Sequence, residues 1–237
     1  MQQLIITIII FLSAFTQGLA GFGVALVAMA LLPGLVDIHQ AAPLVAVVGL
    51  TVDILLLIYY RDSVNVNAIW RVLLASIVGI PLGIWALSGV DEQVFTAVLG
   101  VILAGYAIYG LLNFKLPELI HPLWAYLAGF LGGVLGGAFN TSGPPVVIYA
   151  NCRRWPPREF KSNLQGFFII NSLLVVLGHG LGGNLNPAVW RGYLWSLPAI
   201  LLGILAGVSL DRVINPLLFR KIVLVLLVVM GVRLILA

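Results

Sequence analysis

The chain of 237 residues is 62% hydrophobic and 8% charged, with a mean hydropathy of +1.14 and a formal net charge of +4. Soluble domains carry about 25% charged residues, so a water-soluble enzyme is excluded, no nucleic-acid partner is expected, and membrane lipid is the expected solvent. No hydrophilic run is long enough for a soluble domain, and residues 1–237 therefore read as one membrane domain. Cys152 is the single cysteine, which excludes an internal disulfide. No Lys or Arg precedes the first apolar run, which argues against a cleaved leader.

Apolar segments run over residues 3–36, 41–60, 68–90, 93–113, 121–150, 162–180, 188–210 and 215–236. Most have the roughly twenty residues that cross a bilayer of about 30 Å. The first and fifth are too long for one straight crossing. Each also holds a glycine-rich stretch: Gln17-Gly18-Leu19-Ala20-Gly21-Phe22-Gly23 in one, and Gly132 to Ala138 leading into Phe139-Asn140-Thr141-Ser142-Gly143-Pro144-Pro145 in the other. Glycine and proline at that density predict two half-helices meeting at an irregular apex. Such backbone is tolerated at membrane depth only where it is buried in protein or lines a cavity. Broken helices at matching places in two halves of a chain are the best sequence pointer to a transporter binding site.

The halves match elsewhere too. Trp70-Arg71 repeats as Trp190-Arg191, Leu82-Gly83 as Leu202-Gly203 and Asp91 as Asp211, while Asp53 falls opposite Asn171. Repeat one is thus expected over 1–114 and repeat two over 120–237, joined near Lys115–His121. Charge placement chooses the topology. Eight plain crossings divide Lys and Arg seven against five, whereas re-entrant first and fifth segments divide them ten against two. In the second arrangement only Arg191 and Arg233 lie outside, as the positive-inside rule favours. The expected fold is an all-α polytopic membrane protein of two inverted four-segment repeats. Each repeat is a re-entrant broken-helix hairpin followed by three transmembrane helices.

The candidate substrate contacts are Gln17, Gly18, Gly21 and Gly23 in the first apex and Asn140, Thr141, Ser142 and Gly143 in the second. Glycine admits close backbone approach of a ligand. Half-helix tips present N–H groups and a positive dipole end, which favour an anion. The competing use of these glycines is tight helix packing. Asp53 is the one acid well inside an apolar segment, and an intramembrane ionisable group is a functional candidate by default, here as a proton carrier. Its other reading is a helix contact to Asn171 or Gln165, themselves expected as interhelical hydrogen-bonding partners. Lys161, in the basic run of Arg153, Arg154 and Arg158, is expected to support the site near the apex exit, although the run as a whole reads first as a lipid anchor. His39, His121, His179 and Cys152 have no metal-ligand spacing, so neither a metal nor a cofactor is expected.

On these residues the chain resembles the TauE/SafE sulfite exporter family, also called the 4-toluene sulfonate uptake permease family. The resemblance rests on size, the two-repeat plan, Gly18 to Gly23 followed by Pro33, and Gly132 to Pro145 leading into Val146-Val147-Ile148-Tyr149. The chain departs from the family pattern by fewer glycines in the first apex and by Asn-Thr-Ser in the second. The resemblance implies a bacterial or archaeal inner-membrane carrier of sulfur-containing anions such as sulfite, sulfoacetate or another organosulfonate. Proton-coupled export is the leading expectation. A re-entrant-loop channel for small solutes or anions is the alternative, and a homo-oligomer is left open. An intramembrane enzyme is disfavoured, because no Ser–His pair, Asp pair or metal cluster is evident.

The charge pattern makes a direct prediction about topology. Cysteines placed at Asp91 and Asn184 should react with an impermeant thiol reagent in intact cells, and protection of either would remove the re-entrant inverted-repeat arrangement.

Overall fold

In the computed structural model of the chain, residues 2–87, 91–112, 117–211 and 213–236 are described, and they are almost wholly helical. Lys115 and Leu116 of the expected joint between the halves, and Arg212, lie outside the described residues. The elements are α1 (Gln2–Ala20), α2 (Val24–Leu31), α3 (Ile38–Tyr60), a 3-10 turn (Arg61–Ser63), α4 (Val66–Leu87), α5 (Glu92–Leu111), α6 (Pro122–Phe139), α7 (Gly143–Cys152), α8 (Pro157–Leu181), α9 (Pro187–Leu210) and α10 (Pro216–Leu236). Seven of them are long and apolar enough to cross a membrane: α1, α3 with its 3-10 extension, α4, α5, α6, α8 and α9. The chain is an all-helical polytopic membrane protein. The helix α10 is not among the seven and carries Arg220, Lys221 and Arg233.

Helix starts follow capping chemistry. Side-chain oxygens of Asp37, Asp91 and Asn186 accept from backbone N–H groups two residues on, at 2.7, 2.8 and 3.0 Å. Pro122, Pro157 and Pro187 begin α6, α8 and α9, where their missing N–H would have had no intrahelical partner.

The two long apolar segments do break, but unequally. The expected half-helices are a long arm and a short arm: 19 and 8 residues in the first segment, 18 and 10 in the second. The glycines explain the difference. Gly18 and Gly132 to Gly137 stay helical because they lie against neighbouring helices, and only Gly21-Phe22-Gly23 and Asn140-Thr141-Ser142 leave the helix. Each short arm folds back on its long arm; a Cβ on Gly132 would stand 2.9 Å from Val146, and one on Gly136 3.0 Å from Ser142. The ends of each hairpin meet as well. Gln2 donates to the Leu35 carbonyl at 2.6 Å, and Arg153 donates to the Leu119 carbonyl at 3.1 Å.

Long helices pair across the two halves: α1 with α9, α6 with α4, α3 with α8 and α5 with α10. Glycine makes these seams close. A Cβ on Gly129, Gly133 or Gly137 would collide with the carbonyl oxygens of Val72, Ser76 or Ile80 on α4. Gly203 and Gly207 approach α1 in the same way, at Phe11 and Phe15. Without a hydrophobic drive between helices in lipid, such small-residue contact is the main source of association.

Gly129→Ala should therefore overpack the α4–α6 seam and cost about 1–3 kcal/mol. Gly105→Ala, where a Cβ meets nothing within 4 Å, should be neutral or stabilise by about 0.5–1 kcal/mol through helix propensity. Thermal unfolding of the purified protein in detergent checks both, and equal melting temperatures would show that the seam does not hold the fold.

Candidate functional site

The loops that join the arms turn by left-handed backbone. Gly21 and Gly23 have φ of 83° and 119°, and Asn140 has φ of 57°. Asparagine is one of the few side chains that accept this region. It closes α6 as the helix-ending residue, with Asn140 N–H donating to Gly136 at 2.9 Å and Thr141 N–H to Leu135 at 3.2 Å. The first loop closes through Gly21 N–H to Gln17 at 2.7 Å. Each loop is also held by the opening turns of a long helix from the other half. Lys161 Nζ donates to the Leu19 carbonyl and Gln165 Nε2 to the Gly21 carbonyl, both at 2.7 Å. Asn140 Nδ2 donates to the Ala42 carbonyl at 2.9 Å.

Gln17 organises the interior of the site. Its Oε1 accepts from Val24 N–H, the first donor of α2, at 3.0 Å. Its Nε2 donates to Asp53 Oδ1 at 2.6 Å and to Gln165 Oε1 at 3.2 Å. Asp53 is 2% exposed, and its second oxygen accepts from Ser172 Oγ at 2.5 Å. Both carboxylate oxygens are thus supplied with donors, as a buried acid requires.

Beside Asp53 lies a cavity of about 40 Å³, lined by Gln17, Gly23, Val24, Asp53, Asn140, Thr141, Ser142, Gly143 and Ser172 among others. It brings the two loops and the starts of both short arms together around one acid. Thr141 is 1% exposed and its hydroxyl has no hydrogen-bonding partner within the protein. A buried unpaired hydroxyl costs free energy, and Thr141 carries one on the wall of this cavity. Of the expected contacts, Gln17, Gly23, Asn140, Thr141, Ser142, Gly143 and Asp53 line this cavity. Gly18 does not line it: it packs on Ile204 and Gly207 of α9. Gly21 holds Gln165 and abuts Lys161 instead. Asn171 bonds to Ser76 and to the Phe167 carbonyl rather than to Asp53, and its Oδ1 is unpartnered near Gly136.

A second, larger space of about 640 Å³ opens where the first loop meets α8 and α10, with Tyr60, Asn151, Trp155, Arg158, Lys161, Asp211 and Arg220 on its walls. Lys161 is tied into the structure. Its ammonium pairs with Asp211 at 2.7 Å while donating to Leu19, which fixes the first loop against the end of α9. Ser172 is not visible to motif reading, and of the vestibule only Arg158 and Lys161 stand in a run that the sequence picks out. A serine in an apolar helix usually bonds to its own backbone, and the vestibule is assembled from widely separated stretches of the chain. Among the described residues no group of three His, Cys, Asp or Glu side chains could hold a metal ion.

The family model for the sulfite exporter TauE/SafE matches residues 6–234. The chain belongs to the TauE/SafE sulfite exporter family. It is 24% identical over 235 residues to a probable sulfite/organosulfonate exporter, TauE, of Cupriavidus necator, covering 94% of this chain and 89% of that protein. It is also 26% identical over 174 residues to a probable inner membrane transporter protein, TsaS, of Comamonas testosteroni, covering 73% of each. No solved structure matches the chain. With seven apolar helices of crossing length, this TauE/SafE chain is a multi-pass membrane transporter and not an enzyme.

The Gln17 network is open to direct test. Gln17→Leu strands Val24 N–H and removes a donor from Asp53 and Gln165. Each unsatisfied buried group costs about 1–3 kcal/mol, so the variant should melt well below Gln165→Leu in detergent. Equal melting temperatures would place the stabilising contacts of the first loop elsewhere.

Proposed function

We propose that the chain is a secondary carrier of the bacterial or archaeal inner membrane that exports a small sulfur-containing oxyanion, sulfite or an organosulfonate, in a proton-coupled cycle. The observation that carries this reading is the cavity where both hairpin loops face Asp53 and the unpaired Thr141 hydroxyl. The starts of α2 and α7 converge there, and their dipoles favour negative charge. Pro144 and Pro145 have no N–H, so at the start of α7 the specific donors are Thr141, Ser142 and the Gly143 backbone. Asp53 is the group placed to carry the coupling proton. The relatives' names, a sulfite/organosulfonate exporter and an inner membrane transporter, agree with this substrate class and location. The small cavity is a void separate from the vestibule, which favours a carrier over an open pore.

Inverted repeats with re-entrant hairpins fit the same reading. The helix pairs are those of two antiparallel copies: α1–α9 mirrors α6–α4, and α3–α8 and α5–α10 pair equivalents. Each hairpin returns to the level at which it began. The first loop reaches the start of α8 and the second the start of α3, which is what copies of opposite orientation require. Arg61, Arg153, Arg154, Arg158 and Lys161 then lie on the cytoplasmic side, as the positive-inside rule expects.

Flux of sulfite, sulfoacetate, taurine and sulfate into proteoliposomes tests the proposal, with saturable, pH-dependent transport of one sulfur anion as the expected result. Thr141→Val removes a hydrogen bond to a charged group, worth about 1.5–3 kcal/mol, and should weaken binding by about ten- to a hundredfold. Asp53→Asn should still bind substrate but lose the pH dependence of net transport. A sulfonate is the better probe here than sulfite, which itself titrates near neutrality. Normal pH-driven transport by Asp53→Asn would make Asp53 a structural residue.

A further inference from the structure

One half-buried basic side chain of the vestibule stands outside the ion pairs among the described residues. Arg158 is exposed, and Lys161 is neutralised by Asp211, the one carboxylate on the vestibule wall among the described residues. Arg220 is half-buried, none of the ion pairs among the described residues involves it, and its Nε is buried without a hydrogen-bonding partner. A buried guanidinium N–H without an acceptor is costly, and such a group retained on a cavity wall invites a ligand that can accept from it.

Its position sharpens that inference. Arg220 stands on the wall between the vestibule and a small inner void of about 20 Å³, which it shares with Tyr106, Phe22 and Gly23. Tyr106 is 6% exposed, and its hydroxyl is a second buried polar group without a partner. Two unsatisfied groups therefore flank one void that is large enough for a single water-sized atom group. Phe22, the central residue of the first loop, roofs the spot edge-on to Tyr106 and Phe160, with ring centroids 6.5 and 6.4 Å away. The inner void also shares Gly23 and Leu26 with the cavity at Asp53. The inner void thus borders both larger neighbours, and Arg220 lies on the wall it shares with the vestibule.

We propose that Arg220 and the Tyr106 hydroxyl form a second oxyanion subsite at the inner end of the vestibule. It receives a sulfonate or sulfite headgroup before the headgroup reaches the cavity beside Asp53. One anion oxygen occupies the small void between the two groups, while the body of the anion remains in the vestibule. The planar guanidinium suits this class of ligand, since it offers paired N–H donors to a tetrahedral or pyramidal oxyanion. The subsite rests on the carrier reading of the previous section and adds to it a place of first contact. The rival occupant of the small void is a water bridging Tyr106 and Arg220, which would give both groups a structural role only.

Kinetics in proteoliposomes decide between them, with sulfoacetate as the probe and the wild-type chain as the reference. An entry subsite contributes binding rather than the transport step, so Arg220→Gln should raise KM by about tenfold or more and leave the maximal rate within about twofold. Arg220→Lys keeps the charge but not the paired donors and should fall between. Tyr106→Phe removes a hydroxyl that bonds to nothing in the protein; it should fold with an unchanged or higher melting temperature and raise KM by a few-fold. That variant keeps the test valid should Arg220→Gln fail to fold. Wild-type KM in Tyr106→Phe, or in a folded Arg220→Gln, would assign the void to water and overturn the subsite while the carrier stands. Absence of saturable anion flux in the wild type would overturn the carrier reading itself, and the subsite with it.

Discussion

A helix that breaks inside a buried apolar segment must find partners for the backbone groups it releases, and in the first half of this chain one side chain does so. Gln17 accepts from the first N–H of the short arm and donates to Asp53 and Gln165, so the turn of the hairpin, the buried acid and the opening of α8 share one residue. Remove it and three features lose their footing together. The rest of the site is arranged around this knot, with Ser172 completing the shell of Asp53 from the opposite helix.

The second half solves the same problem differently. Its loop uses a left-handed asparagine to close the long arm and spends that side chain on the Ala42 carbonyl. Where the first hairpin carries Gln17, three residues before the end of its long arm, the second carries Gly136, three residues before Phe139. Asn171, which faces that glycine, keeps an unpartnered oxygen in consequence. The halves are alike in plan and unlike in polarity: one loop is knotted by side-chain amides, and the other leaves Thr141 free toward the cavity. One loop thus holds Asp53, while the other brings Thr141 and Ser142 to the same cavity.

Much of this was readable in the residues. The eight apolar segments correspond to the helices within a few positions, because apolar runs and their Asp, Asn and Pro boundaries obey local rules. The irregular points were also legible to within a residue or two, since Gly21, Gly23 and Ser142-Gly143-Pro144 have few other uses. Arm lengths were not, because a glycine that breaks a helix and one that admits a neighbouring helix look identical until the neighbour is known; Gly18 and Gly133 are of the second kind. Asp53 stood out as an acid in an apolar run, yet its partners did not. Ser172 differs from Asn171 by one position on α8, and only the crossing of α3 with α8 selects between them. Of the vestibule only Lys161 and the basic run around Arg158 stood out, since Tyr60, Asn151 and Arg220 come from separate stretches with no pattern to join them.

The glycine seams also govern which parts of the molecule can move. Where two helices touch backbone to backbone, sliding one past the other drives carbonyls and side chains into space that only a hydrogen atom fills. The seam between α4 and α6 and the seam between α1 and α9 therefore each behave as a single rigid body. Each body joins the long arm of one half to a crossing helix of the other. Any exchange of the site between the two faces of the membrane must then rock these bodies as wholes, or swing the short arms α2 and α7 about their three-residue loops. Shear within a body is closed to it.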